Sequence, residues 1–133
     1  MTSYDDIWSC FLDNSGKDLE TLPNNDDEIH KIIHNAIRRY NAMMDSENKL
    51  NFDDSTESID KSLDDNKLLL LSLYVKLIVY TNDKEYFEQV YQYDIYEVKS
   101  KFYKQQDDAR QATIDNIKKE IKQYRTNMRD FLY

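Results

Sequence analysis

The near-absence of glycine and proline constrains this chain more than any other feature: it holds one of each in 133 residues. Sheets need tight turns, and tight turns draw on residues that tolerate positive φ or preset φ. A chain almost without them is poorly equipped for hairpins, dinucleotide-binding turns or phosphate-cradling loops. The expectation is therefore an all-α fold, a small helical bundle with a long carboxy-terminal helix and Asn/Asp/Ser connections. The length suits one domain spanning residues 1–133. A domain of this size buries a core without disulfides or metal. Hydrophobic residues make up 40%, with 11 Tyr and 5 Phe, which argues against wholesale disorder.

Hydrophobic spacing places the helices. Ser3 is a candidate cap for a first short helix, with Asp5 and Asp6 at its positive end. Tyr4, Ile7, Trp8, Phe11 and Leu12 fall on one helical face, and Asn14, Ser15 and Gly16 stop it. A linker follows around the single proline. Asn24 or Asn25 then caps a second helix whose stripe is Ile29, Ile32, Ile33, Ala36, Ile37, Tyr40 and Met43–Met44; Lys31, Arg38 and Arg39 lie off it. Residues 45–65, DSENKLNFDDSTESIDKSLDD, are acidic and Ser-rich, and read as a long surface loop. Residues 67–80, KLLLLSLYVKLIVY, are apolar nearly all round, which predicts a buried central helix. Thr81, Asn82 and Asp83 are expected to interrupt it and restart a helix with Tyr86, Phe87, Val90 and Tyr91 facing inward, a face that Tyr93 could extend.

The last stretch, residues 101–133, reads as one long helix and tail. Ile114, Ile117, Ile121, Tyr124, Met128 and Phe131 recur at alternating spacings of three and four. That is a narrow seam, not the broad stripe of a core helix. Phe131, Leu132 and Tyr133 end the chain without a polar tail, either packing on their own bundle or forming an apolar plug for a neighbour. Charge is uneven too. Residues 1–98 hold 21 acidic and 9 basic side chains, whereas residues 99–133 hold 5 and 9, within a net charge of -8. An acidic body with a basic final helix suits head-to-tail self-association or an acidic partner.

Several functions are disfavoured. The single Cys10 excludes an internal disulfide framework and a multi-cysteine zinc site, and its place between Trp8 and Phe11 reads as packing. His30 and His34, in HKIIH, have metal-sharing spacing. A zinc protease needs Glu beside the first His, and Lys31 stands there, so they read as flank histidines. Two carboxylates with split environments are needed for acid–base work, and no pair stands out. No catalytic residue, cofactor or metal is expected. Duplex reading is disfavoured by the net charge. No apolar run is long enough to span a membrane, and the acidic start MTSYDDIW is no secretory signal.

Three stretches resemble a known family: the opening SYDDIWSCFLD, the helix IHKIIHNAIRRYNAMM, and KLLLLSLYVKLIVYTNDKEYF followed by FYKQQDDARQATIDNIKKEI. In helix order, length and texture they resemble the head–tail connector (adaptor) proteins of tailed bacteriophages, the ring beneath the portal. The likeness covers most of the chain except residues 45–65. It implies a non-enzymatic structural virion protein, made in the host cytoplasm, that assembles with itself into a ring, dodecameric in that family. Such a ring docks on the portal protein, extends the DNA channel without sequence-specific binding, and presents a surface to the next neck or tail-completion protein. In the family the carboxy-terminal helix and tail contact the portal, which here implies Tyr124, Met128, Phe131, Leu132 and Tyr133 as partner-binding residues. A different class of function, an acidic DNA mimic that occupies a host nuclease or other DNA-binding protein, also fits the charge.

Overall fold

The computed structural model describes residues 1–14, 22–23, 25–44, 46–91 and 97–132; in the two long helices the side chains described are those of residues 65–89 and 104–126. The fold is mostly helical, as expected. Among the described residues, four helices, α1 (Tyr4–Asn14), α2 (Asp26–Ala42), α3 (Asp65–Tyr91) and α4 (Glu97–Leu132), surround one core. The carboxy-terminal helix is the longest. What composition did not foresee is a small antiparallel sheet of β1 (Thr2–Ser3), β2 (Phe52–Asp53) and β3 (Ser58–Ile59), ordered β1-β3-β2. Ile59 faces Thr2 on one side and Phe52 on the other.

Local chemistry starts the first two helices. Ser3 Oγ accepts from the Asp6 amide at 3.1 Å, as an N-cap does. On α1, Tyr4, Ile7 and Phe11 are buried and Trp8 is half-buried. Leu12, expected on the same face, is exposed instead. Asn25 caps α2, accepting from the Glu28 amide at 2.8 Å, and three acidic residues fill the first turn. Ile32, Ile33, Ala36, Ile37 and Tyr40 are buried. The stripe ends sooner than expected: Met43 is the exposed C-cap, and Met44 rests half-buried against the core.

Residues 45–65 differ from the surface loop expected of them, because Leu50 and Ile59 belong to the core. Asn41 on α2 exchanges two hydrogen bonds with the Leu50 backbone, accepting from its N–H at 2.7 Å and donating to its carbonyl at 2.8 Å. A single asparagine thus substitutes for a strand partner and seats Leu50. The hairpin turn forms without glycine. Asp53 Oδ1 accepts from the Ser55 amide at 2.9 Å and from its hydroxyl at 2.6 Å, an Asx turn. Glu57 takes the left-handed conformation (φ 50°) that glycine would normally supply. Its carbonyl accepts from the Tyr4 amide at 2.8 Å, so the strained residue is held by the start of α1.

Asp64 caps α3, with its carboxylate accepting from the Lys67 amide at 2.9 Å. Residues 70–80 of α3 are buried almost throughout, as their uniform apolarity predicts. α1, α2 and α4 all pack on this helix. The expected break at Thr81, Asn82 and Asp83 does not occur; α3 runs through it. Propensity is a weak force there, and partners outweigh it. Thr81 Oγ1 donates back to the Leu77 carbonyl at 2.7 Å, and Asp83 accepts from Arg110 of α4 at 3.2 Å. Beyond the expected break, Phe87 is buried as foreseen but Tyr86 is exposed; the side chains of Val90 and Tyr91, and all of Tyr93, lie outside the described residues.

Candidate functional site

The seam of α4 faces its own bundle. Ile114, Ile117 and Ile121 are buried, and Tyr124, a predicted partner contact, is half-buried against the same core. Met128, Phe131 and Leu132 lie in α4 by backbone, but their side chains are outside the described residues, as is all of Tyr133. Further back, ionic contacts hold α4 antiparallel to α3. Arg110 donates to Asp83 at 3.2 Å while its guanidinium sits 3.8 Å from the centre of the Phe87 ring. Lys84 pairs with Glu88 on its own helix and lies 3.5 Å from Asp107 across the gap. The Glu88 contact above all raises the Lys84 pKa, and it lowers that of Glu88 in turn. These contacts use one side of α4. Its other side is exposed and carries Lys104, Lys118, Lys119 and Lys122 among Gln, Asn and a few acids.

A second constellation escaped sequence reasoning. Tyr4 Oη donates to Asp54 Oδ1 at 2.9 Å, and His34 Nε2 lies 2.7 Å from the same oxygen and 3.3 Å from the tyrosine hydroxyl. Phe52 stacks on the His34 ring at 4.2 Å, the Arg38 guanidinium lies 5.8 Å from the Phe52 centroid, and His30 meets the edge of Tyr4. α1, α2 and the hairpin each supply one member of the triad, which therefore acts as a three-way tie. Burial, and next the bond given to Asp54, push the Tyr4 hydroxyl far above its ordinary pKa. The bonds from Tyr4 and then His34 hold Asp54 below the ordinary carboxylate range. Its members are 30 and 50 residues from Tyr4, so no local pattern announces it.

Among the described residues, no group of three or more His, Cys, Asp or Glu side chains could hold a metal ion. Cys10 is half-exposed beside Asn14, whose amide lies 3.8 Å from its sulfur. No described helix is long and apolar enough to cross a membrane. Among the described residues, the features assembled above are packing ties and exposed charged faces.

Comparison with known proteins agrees with the phage texture of the sequence. The chain is 36% identical over 92 residues, 69% of either chain, to the SPbeta prophage-derived uncharacterized protein YomZ of Bacillus subtilis (strain 168). No solved structure matches. Residues 1–129, nearly the whole chain, match the family described as YomZ prophage protein. A match of that extent takes in all three helical stretches, the hairpin and most of α4, and on it the chain belongs to the YomZ prophage protein family.

Proposed function

We propose that this chain is a structural subunit of the phage particle, an adaptor that forms a ring between portal and tail, extends the DNA channel and joins head to tail. Its prophage family supports a phage role, and its mostly helical fold is the one the connector resemblance implies. The observation that carries the reading is the setting of α4. That helix is 36 residues long, yet over its described side chains, residues 104–126, it meets the rest of the chain along one side and leaves a charged, lysine-bearing face in solvent. The exposed side suits a neighbour in an assembly, and Tyr124 with the segment to Tyr133 is the proposed portal contact. Asp53, Asp54 and Glu57 of the hairpin are exposed. In a channel wall such carboxylates repel phosphates and let DNA slide. This work is mechanical and uses no catalytic group.

The test is to compare induced phage particles with and without the gene product by electron microscopy and mass spectrometry. Filled heads without tails, and several copies of the protein in each normal particle, are expected. Normal particles with the protein left free in the cell overturn the reading and favour a regulator or an inhibitor of a DNA-binding protein. Truncation after Gln123 refines the site. It spares the buried Ile114, Ile117 and Ile121, so the bundle is expected to stay folded while portal association is lost. A truncated chain that assembles normally removes the terminal segment from the site.

A further inference from the structure

On the side of α2 away from the tyrosine–histidine tie, an open groove of about 830 Å³ runs between α2 and α3. One wall carries Lys31, Asn35 and Arg39, spaced i, i+4, i+8 on α2. The other carries Ile78, Asn82 and Tyr86 at the same spacing on α3. Tyr86 is 57% exposed although it borders a channel with buried Ile32 and Ile78 in its lining. Glu28 is the lone carboxylate in that lining. Among the described residues Lys31 and Arg39 make no ion pair, so the groove wall carries two cations against the single carboxylate of Glu28.

The outer face of α1 is the complement. Asp5, Ser9 and Asp13 are exposed and also fall at i, i+4, i+8. At a rise of 1.5 Å per residue, the two carboxylate-bearing positions are about 12 Å apart along the axis, the same separation as Lys31 and Arg39. The faces cannot meet within one chain. α1 meets α2 through Tyr4 against His30 and His34, positions turned about 120° around α2 from the groove stripe. Its acidic stripe points further away still, opposite the buried Tyr4, Ile7 and Phe11.

We infer that the α2/α3 groove of one copy holds the acidic outer face of α1 from a second copy. The surfaces are unlike, so the contact is heterologous and propagates head to tail into a ring or an open filament. The inference goes beyond the connector reading and stands without it, since a chain with another role can associate in this way. One helix face in a groove is a small interface, so the contact is expected to be weak and to weaken further as salt rises.

Two experiments on the full chain test it. In the first, sedimentation over a range of protein concentrations follows charge reversals. Lys31→Glu with Arg39→Glu is expected to weaken association by about tenfold or more. So is Asp5→Lys with Asp13→Lys, and all four together are expected to restore it. All four positions are exposed, and far-UV circular dichroism verifies that each variant is folded. In the second, Ser9→Cys and Asn35→Cys chains, each carrying Cys10→Ser, are mixed and oxidised. Ser9 and Asn35 are the middle positions of their stripes, so they meet whichever way the helices run. A disulfide between unlike chains, in excess over either like pair, is expected. A chain monomeric at all concentrations, association indifferent to the reversals, or cross-linking without preference for the unlike pair overturns the inference.

Discussion

Tyr40 shows how one atom can work against its surroundings. The side chain is fully buried on α2, edge-on to Tyr74 at 6.5 Å, yet its hydroxyl has no hydrogen-bond partner among the described residues. Leaving a buried polar group unpaired costs about 1–3 kcal/mol. Tyr40→Phe keeps the ring and removes the stranded hydroxyl, so it is expected to be neutral or to raise stability by up to about 1 kcal/mol in urea unfolding. The same burial pushes the Tyr40 pKa up to about 12 from an ordinary 10.0. The folded state thus holds the proton longer than the unfolded state does. Its contribution is fully present below pH 10 and is lost as pH rises towards 12. Tyr40→Phe should therefore also flatten the alkaline limb of the stability profile. A variant less stable than the parent at neutral pH would mean that the hydroxyl is hydrogen-bonded in solution.

At the scale of elements, the hairpin matters most, because the composition argues against it. One glycine in 133 residues disfavours sheets, and this chain makes one with a non-glycine residue at φ 50°. A left-handed conformation costs a residue with a Cβ about 1–2 kcal/mol, part of which glycine gives back as greater loss of backbone freedom. Glu57→Gly is expected to raise stability by about 0.5–1 kcal/mol, read as a higher urea midpoint with unchanged slope. A lower midpoint would show that the Glu57 side chain contributes more than its backbone strain costs. The helices were more legible. Ser3, Asn25 and the buried stripe of α2 act as their sequence suggests, since a cap and a helical period are properties of neighbours in the chain. The end of α3 was not legible. Asn82 and Asp83 look like a stop, but Arg110 of α4, 27 residues onward, makes Asp83 a helical contact.

For the whole molecule, the acidic segment 45–65 is bound into the one core through Leu50 and Ile59. Ile59 is fully buried, its backbone paired between Thr2 and Phe52. Ile59→Ala is therefore expected to destabilise the entire chain by about 2–4 kcal/mol in one cooperative transition, measured by circular dichroism and Tyr fluorescence together. Loss of hairpin structure alone, with the helices melting as before, would return this segment to the status of an attached loop. The charge pattern acts at this scale as well. The acids of α1 and the cations of the α2/α3 groove lie on different sides of the bundle, and that separation favours contacts between copies over contacts within one.

The helical class, the caps of α1 and α2, the central place of α3 and the narrow seam of α4 were legible in the residues alone. Each follows from spacing, composition or a cap within a few residues, and such interactions form wherever the rest of the chain lies. Folding in three dimensions set the rest: α4 turns its seam onto α3, residues 45–65 enter the core, and Tyr4, His34 and Asp54 meet. Those outcomes depend on surfaces brought together from distant parts of the chain. The free energy of burying Leu50 and Ile59, or of satisfying Asp54, exists only once the partners arrive.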